Sequence, residues 1–196
     1  MPGFMSRMLF VMVLMGFVAV RFVYRRHREG ERQAVRPGRE RLLTRAMTAS
    51  VAIPAVLWLG SPLLGFAQAP LPEWVNWLGY LTALVGVGLL AWAHATLGRN
   101  FSPWLEIRGD HTLITGGPYR WVRHPIYSAG ALLVLGSGLL TGNLLVLACP
   151  TTALAMLLWV RLPDEEAMLR RTFGTEYDAW ATGTGRLLPK LGGPPR

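Results

Sequence analysis

The stretch IYSAGALLVLGSGLLTGNLLVLACPTTALAMLLWVRL, residues 126–162, decides the fold class. It carries no charged side chain before Arg161. Crossing a bilayer takes roughly 20 predominantly apolar residues in a helix. Residues 126–140 and 144–162 are two such blocks, separated only by Thr141, Gly142 and Asn143. The spacing predicts two membrane helices joined by a tight hairpin. Ala129, Gly130, Ala131, Gly136, Ser137 and Gly138 make the first of them narrow, so a neighbouring backbone can approach closely.

Three more apolar blocks lie upstream, at about 8–24, 46–66 and 74–97. Pro54 and Pro62 fall in the second, where they kink or end a membrane helix. The first block has only Arg7 before it, is followed by a basic segment, and lacks a small-x-small cleavage site, so it reads as a retained span. The expectation is an all-α, single-domain membrane bundle of five transmembrane helices over 1–196. A polar tail over 163–196 completes it.

Basic residues set the orientation. Of the 20 Lys and Arg residues, only Arg7 falls on the side of the N-terminus and of loops 67–73 and 141–143. The positive-inside rule then places the N-terminus outside and the C-terminus in the cytoplasm. The formal charge of +9 invites a nucleic-acid reading. The arginines flank apolar blocks instead of forming a stripe on a soluble face, which argues against it. The basic loop 25–45 suits contact with anionic membrane lipids. Cys149 stands alone in the chain, which excludes an internal disulfide and a cysteine-based metal site.

Polar candidates concentrate in two cytoplasmic segments, 97–130 and 161–169. Neither holds a GxGxxG, a Walker loop or HExxH. By position alone His124 and His111 stand between a solvated or capping role and a functional one. His94 lies inside the third block, about one turn from its end. Arg161 and Glu165, four residues apart, share a helix face that also carries Leu169 and Trp180, which suggests a pocket wall over an open surface pair. In the tail, Pro163 reads as a helix start, Gly174 as its C-terminal cap, and Thr175 as the cap of a second short helix through Trp180. Leu169, Phe173, Tyr177 and Trp180 form an apolar stripe for packing on the bundle or the membrane interface.

LGRNFSP, HTLITGGPYRWVRHPIYSAG, Arg161 with the Glu165–Glu166 pair, FGTEY and RLLP occur in that order. Over residues 76–190 this set resembles the isoprenylcysteine carboxyl methyltransferase family. The resemblance implies a membrane enzyme that uses S-adenosyl-L-methionine without a Rossmann domain, with a cytoplasmic cofactor pocket. It implies that His111, Thr112, Leu113, Ile114, Tyr119, His124, Pro125, Ile126, Tyr127 and Glu165 contact the cofactor, with Glu106 at a position that is glutamine in some relatives. Arg161 would hold the acceptor's carboxylate, making Arg161 and Glu165 the catalytic pair, and no metal is implied. The acceptor would be a lipophilic small molecule or a lipid-modified substrate, such as a prenylcysteine. Three alternatives stand beside it: a phospholipid amine, a small thiol, and an NADPH-dependent membrane reductase. Ser128, Ala129 and Gly130 after Tyr127 fit the methyltransferase pattern better than the reductase one.

Overall fold

A computed structural model describes residues 3–25, 37–98 and 112–190. Five helices account for most of them: α1 (Gly3–Arg25), α2 (Pro37–Gly60), α3 (Glu73–Leu97), α4 (Pro125–Thr141) and α5 (Leu144–Gly183). Short 3-10 turns at Gly65–Ala67 and Gly117–Arg120 punctuate the connections. Among the described residues the only β features are two isolated bridges, Gln68 with Asn143 and Val122 with Gly185. The fold is an all-helical membrane protein. Segments of α1, α2, α3 and α5 are long and apolar enough to cross a bilayer, whereas α4 is apolar but has 17 residues. At 1.5 Å per residue α4 is about 26 Å long, a little under the roughly 30 Å of hydrocarbon.

Glycine and alanine bring α3 and α4 into backbone contact. A Cβ on Gly79 would lie 2.3 Å from the Leu140 amide nitrogen, and one on Gly136 would lie 2.4 Å from that of Ala83. The small residues of α4 serve two neighbours, because a Cβ on Gly138 would meet Leu147 of α5 at 2.6 Å. Around this seam Val13, Ala83, Leu90, Ala129 and Leu133 form one buried cluster. Phe10, Ala55, Leu140 and Val146 form another. Large apolar side chains such as Val56, Trp74 and Trp159 point outward, as contact with lipid requires.

Polar side chains cap the hairpin between α4 and α5. Asn143 accepts from the amides of Leu145 and Val146 at the start of α5 and donates to the Leu64 carbonyl at 2.8 Å. Gln68 donates to the Thr141 carbonyl at 2.7 Å, and Asn76 to the Leu139 carbonyl at 3.0 Å. These bonds satisfy carbonyls that the end of α4 leaves open. Gly142 closes that helix in the left-handed region, at φ 61°.

Three boundaries differ from the expected ones. α2 begins at Pro37 and stops at Gly60, short of the apolar block's end. Ser61 turns its hydroxyl back onto the Leu57 carbonyl, and Pro62 has no amide with which to continue. α5 runs through Pro163 instead of starting there. Gly174 does interrupt it, with φ 52° and ψ −126°. Residues 144–173 make about 45 Å of helix, half again the roughly 30 Å hydrocarbon thickness. A helix of that length exceeds one bilayer crossing, and Asp164, Glu165, Glu166, Arg170 and Arg171 mark its C-terminal part as the end suited to lie outside the hydrocarbon.

This extension gathers with other polar ends at one pole. Arg39 near the start of α2 reaches Asp164 of α5 at 3.5 Å. Tyr24 at the end of α1 meets the His94 ring of α3 at 5.3 Å between centroids. The start of α4 joins the same pole, opposite the hairpin at residues 141–143.

Candidate functional site

The turn before α4 is built for a sharp entry. Gly117 adopts φ 56°, and a Cβ there would sit 2.5 Å from the Thr96 hydroxyl oxygen of α3. Glycine meets both the dihedral and the space requirement. Pro118 and Tyr119 follow, both buried. Residues 122–124 then run beside the C-terminal segment, with an isolated bridge between Val122 and Gly185. The Gly185 amide donates to the Trp121 carbonyl at 3.2 Å, Arg123 to Gly185 at 2.7 Å, and His124 to Arg186 at 3.1 Å. His124 takes the position before the helix, and Pro125 occupies its first turn, where a missing amide costs nothing. Ser128 fastens the turn by donating to the Leu187 carbonyl at 2.6 Å.

His124 is therefore aimed at α5. Its ring stands between two consecutive carboxylates. Nε2 lies 3.3 Å from Glu166 Oε1, and Nδ1 lies 3.6 Å from Glu165 Oε1. Neighbours on a helix diverge by about 100°, so the pair flanks one ring. Tyr127, in the first turn of α4, donates its hydroxyl to Glu165 Oε2 at 2.9 Å. Arg161, one turn before Glu165, adds its positive charge to that carboxylate.

Glu166 has the denser surroundings. Arg186 approaches it twice, Nε to Oε1 at 3.0 Å and Nη2 to Oε2 at 2.5 Å. Arg123 Nη2 lies 3.3 Å from Oε1. The Glu166 side chain is 8% exposed against 26% for Glu165. Burial raises the proton affinity of Glu166, but its bonds to Arg186 and His124 outweigh it and hold the carboxyl well below the usual range. For His124, burial favours the neutral ring, yet bonding to both glutamates prevails and raises its pKa above the ordinary value. Burial, and next the Glu165 charge, push the Tyr119 hydroxyl up, so it stays a neutral phenol.

The structure brings His124, Tyr127, Arg161 and Glu165 together, with Pro125 and Ile126 in the adjoining turn and Tyr119 within the electrostatic reach of Glu165. Thr112, Leu113 and Ile114 lie in the irregular strip that leads into the Gly117–Arg120 turn, Thr112 exposed and the other two half-buried. Glu106 and His111 fall outside the described residues. His94 belongs elsewhere, fully buried with Nδ1 3.0 Å from the Leu90 carbonyl. Sequence reasoning assigned no role to Arg123, Glu166 or Arg186. The signal was present, since the glutamate doublet and RLLP belong to the motif set. Their mutual contact spans 20 residues between Glu166 and Arg186 and 42 between His124 and Glu166, beyond any local pattern. Among the described residues no group of three or more His, Cys, Asp or Glu could hold a metal ion. The cluster instead offers a half-exposed carboxylate beside fixed cations, which can orient one cationic and one anionic ligand group.

The sequence model of the family described as phospholipid methyltransferase (PEMT) matches residues 74–176. The chain belongs to this family. The match contains every side chain of the charge cluster except Arg186. Relatives of known name point in the expected direction. A probable protein-S-isoprenylcysteine O-methyltransferase of Oryza sativa subsp. indica is 34% identical over 59% of this chain and 61% of its own length. The Tribolium castaneum protein-S-isoprenylcysteine O-methyltransferase is 30% identical over 62% of this chain and 44% of its own length. The chain thus spans about three fifths or less of these relatives. Among solved structures, the eukaryotic intramembrane Ras methyltransferase ICMT superposes with a TM-score of 0.55 at 26% identity, over 81% of this chain and 55% of that one. The resemblance to isoprenylcysteine methyltransferases stands on these matches.

Proposed function

We propose that this family member is an S-adenosyl-L-methionine-dependent methyltransferase that esterifies the carboxylate of a lipophilic, prenylcysteine-like thioether. The observation that supports it most is the facing of His124 and Tyr127 at the start of α4 onto Arg161 and Glu165 of α5. Both pieces lie inside the family match, and both carry motif residues of the resemblance.

The residues fit the cofactor's chemistry. Its sulfonium and ammonium are cationic, and the partly exposed Glu165 carboxylate is the acceptor available to them. Half-buried Leu113, Ile114 and Ile126 offer apolar surface for an adenosine. Glu106, His111, Thr112, Tyr119, His124, Pro125 and Tyr127 complete the proposed cofactor-binding set. When bound, S-adenosyl-L-methionine supplies a methyl group already activated on sulfur. The chain's own part is positioning. Tyr127 and His124 hold Glu165 in one orientation. Arg161 binds and aligns the acceptor's carboxylate, which needs no general base because it is already ionised. Removing water from such a carboxylate strips the hydration that blunts it as a nucleophile.

The membrane explains the pairing of substrates. The cofactor is soluble and the acceptor is lipophilic, so one arrives from water and the other from the bilayer. Five spans, an external N-terminus and a cytoplasmic site complete this reading, supported by the positive-inside distribution. Calorimetry with S-adenosylhomocysteine on the purified protein tests the site. Tight binding by the parent that drops at least tenfold in His124→Ala and Glu165→Ala, by about 1.4 kcal/mol or more, supports it. Equal binding by all three proteins refutes it.

A further inference from the structure

We propose that Glu166 is a positioning residue for the site: with Arg186 it clamps the C-terminal segment 184–188 behind His124 and fixes the ring that faces Glu165. The inference rests on the reading of His124 and Glu165 as the cofactor side of the site.

Glu166 does not face the mouth as Glu165 does. Its carboxylate is nearly covered, at 8% exposure, and a covered carboxylate is retained only when paired and hydrogen-bonded. Its partners come from two separate pieces of chain. Arg123 and His124 belong to the entry to α4, and Arg186 belongs to the C-terminal segment. The segment is itself fastened to that entry through the Trp121, Arg123 and His124 backbone and the Ser128 hydroxyl. Arg123 adds a bond from Nη1 to the Ala181 carbonyl at 3.2 Å. The turn after it admits no side chain at Gly185, where a Cβ would fall 1.8 Å from the Leu188 carbonyl oxygen. The segment is a built strap, and Glu166 is the point where strap, α4 entry and α5 converge.

The geometry divides labour between the two glutamates. With Nε2 held by Glu166, the ring has one orientation and presents Nδ1 to Glu165. Without the Glu166 charge, His124 keeps Glu165 as its anionic partner, while Arg123 and Arg186 remain as unneutralised cations nearby. Tyr127 is the other titratable group against the ring, at 5.8 Å between centroids. Loss of Glu166 therefore acts through His124 and not through a ligand contact.

The test is histidine NMR with kinetics on the full chain in lipid nanodiscs. The chain has 4 histidines, so ring signals resolve, and His124→Gln assigns the relevant one. In Glu166→Gln the His124 titration midpoint should fall by about one pH unit or more, the scale of a lost charged neighbour. Turnover should fall about tenfold or more, the scale of a misplaced reacting group, with the acceptor KM within about threefold. Glu166→Asp should recover much of both. If Glu166→Gln does not fold, Arg186→Gln carries the test, since that side chain is 51% exposed. It removes a cation and leaves the Glu166 charge, so the His124 midpoint should rise instead of fall, with turnover again reduced. An unchanged His124 midpoint, or a rate loss that only tracks the folded fraction, overturns the proposal. A His124 midpoint that shifts as stated in a protein without methyl transfer supports the clamp and counts against the enzyme reading alone.

Discussion

Tyr127 donates its hydroxyl to Glu165 Oε2 at 2.9 Å and so ties the first turn of α4 to the extension of α5. The bond joins residues 38 positions apart and gives the half-exposed carboxylate a fixed direction. Hydrogen bonds to a charged acceptor contribute about 1.5–3 kcal/mol. Tyr127→Phe keeps the ring and removes the donor. S-adenosylhomocysteine should then bind about tenfold more weakly, read by calorimetry. An unchanged Kd means that Glu165 does not hold the cofactor through this arrangement.

Arg161 has a separable task. Arg161→Gln removes the cation proposed to bind the acceptor and leaves the Tyr127 and His124 contacts to Glu165 in place. Turnover with acetyl-farnesyl-cysteine should fall about a hundredfold, the cost of losing alignment. Binding of S-adenosylhomocysteine should stay within about fivefold. A full rate in this variant removes Arg161 from the acceptor site.

The α3–α4 seam gives a stability prediction. At Gly79 an added methyl meets backbone, 2.3 Å from Leu140 N and 2.8 Å from Gly136 O, so no rotamer change relieves it. Gly79→Ala should destabilise by about 1–3 kcal/mol, the usual range for overpacking. Gly88→Ala is the control, because a Cβ there meets nothing within 4 Å. Thermal unfolding in detergent should show a lower Tm for the first variant and an equal or higher one for the second. Equal Tm values for both would mean that the helices are farther apart.

Much of this was legible in the chain. Apolar blocks and a three-residue hairpin announced the helices, and the arginines announced which ends share a pole. The glycines of α4 announced close packing, though not that Gly136 faces α3 while Gly138 faces α5. Pro163 misled, because a proline at a helix start and one inside a long helix look alike locally, and only packing distinguishes them. The motifs named His124, Tyr127, Arg161 and Glu165. They could not assign Glu166, whose role depends on Arg186 arriving from a segment beyond the Gly174 break.

The charge cluster also sets a pH dependence. His124 has a raised pKa in the folded protein, so its stabilising contribution is complete below the ordinary imidazole value. That contribution is lost as pH rises through the raised value. Glu166 acts oppositely, its contribution present above the ordinary carboxyl range and lost as pH falls through its depressed value. Tm should decline on the alkaline side in the parent and show no such step in His124→Gln. A step of equal size in both proteins would assign it to another group.

The most direct test of the central claim is the chemical form of the transferred methyl. Purified protein is incubated with tritiated S-adenosyl-L-methionine and acetyl-farnesyl-cysteine, and with lipid extract or a small thiol in parallel. Product is then treated with base. A methyl ester releases volatile tritiated methanol, whereas a methylated amine or thioether does not. The account predicts base-labile label on acetyl-farnesyl-cysteine, lost in Arg161→Gln. Base-stable label on lipid amine or thiol, with none on acetyl-farnesyl-cysteine, contradicts it.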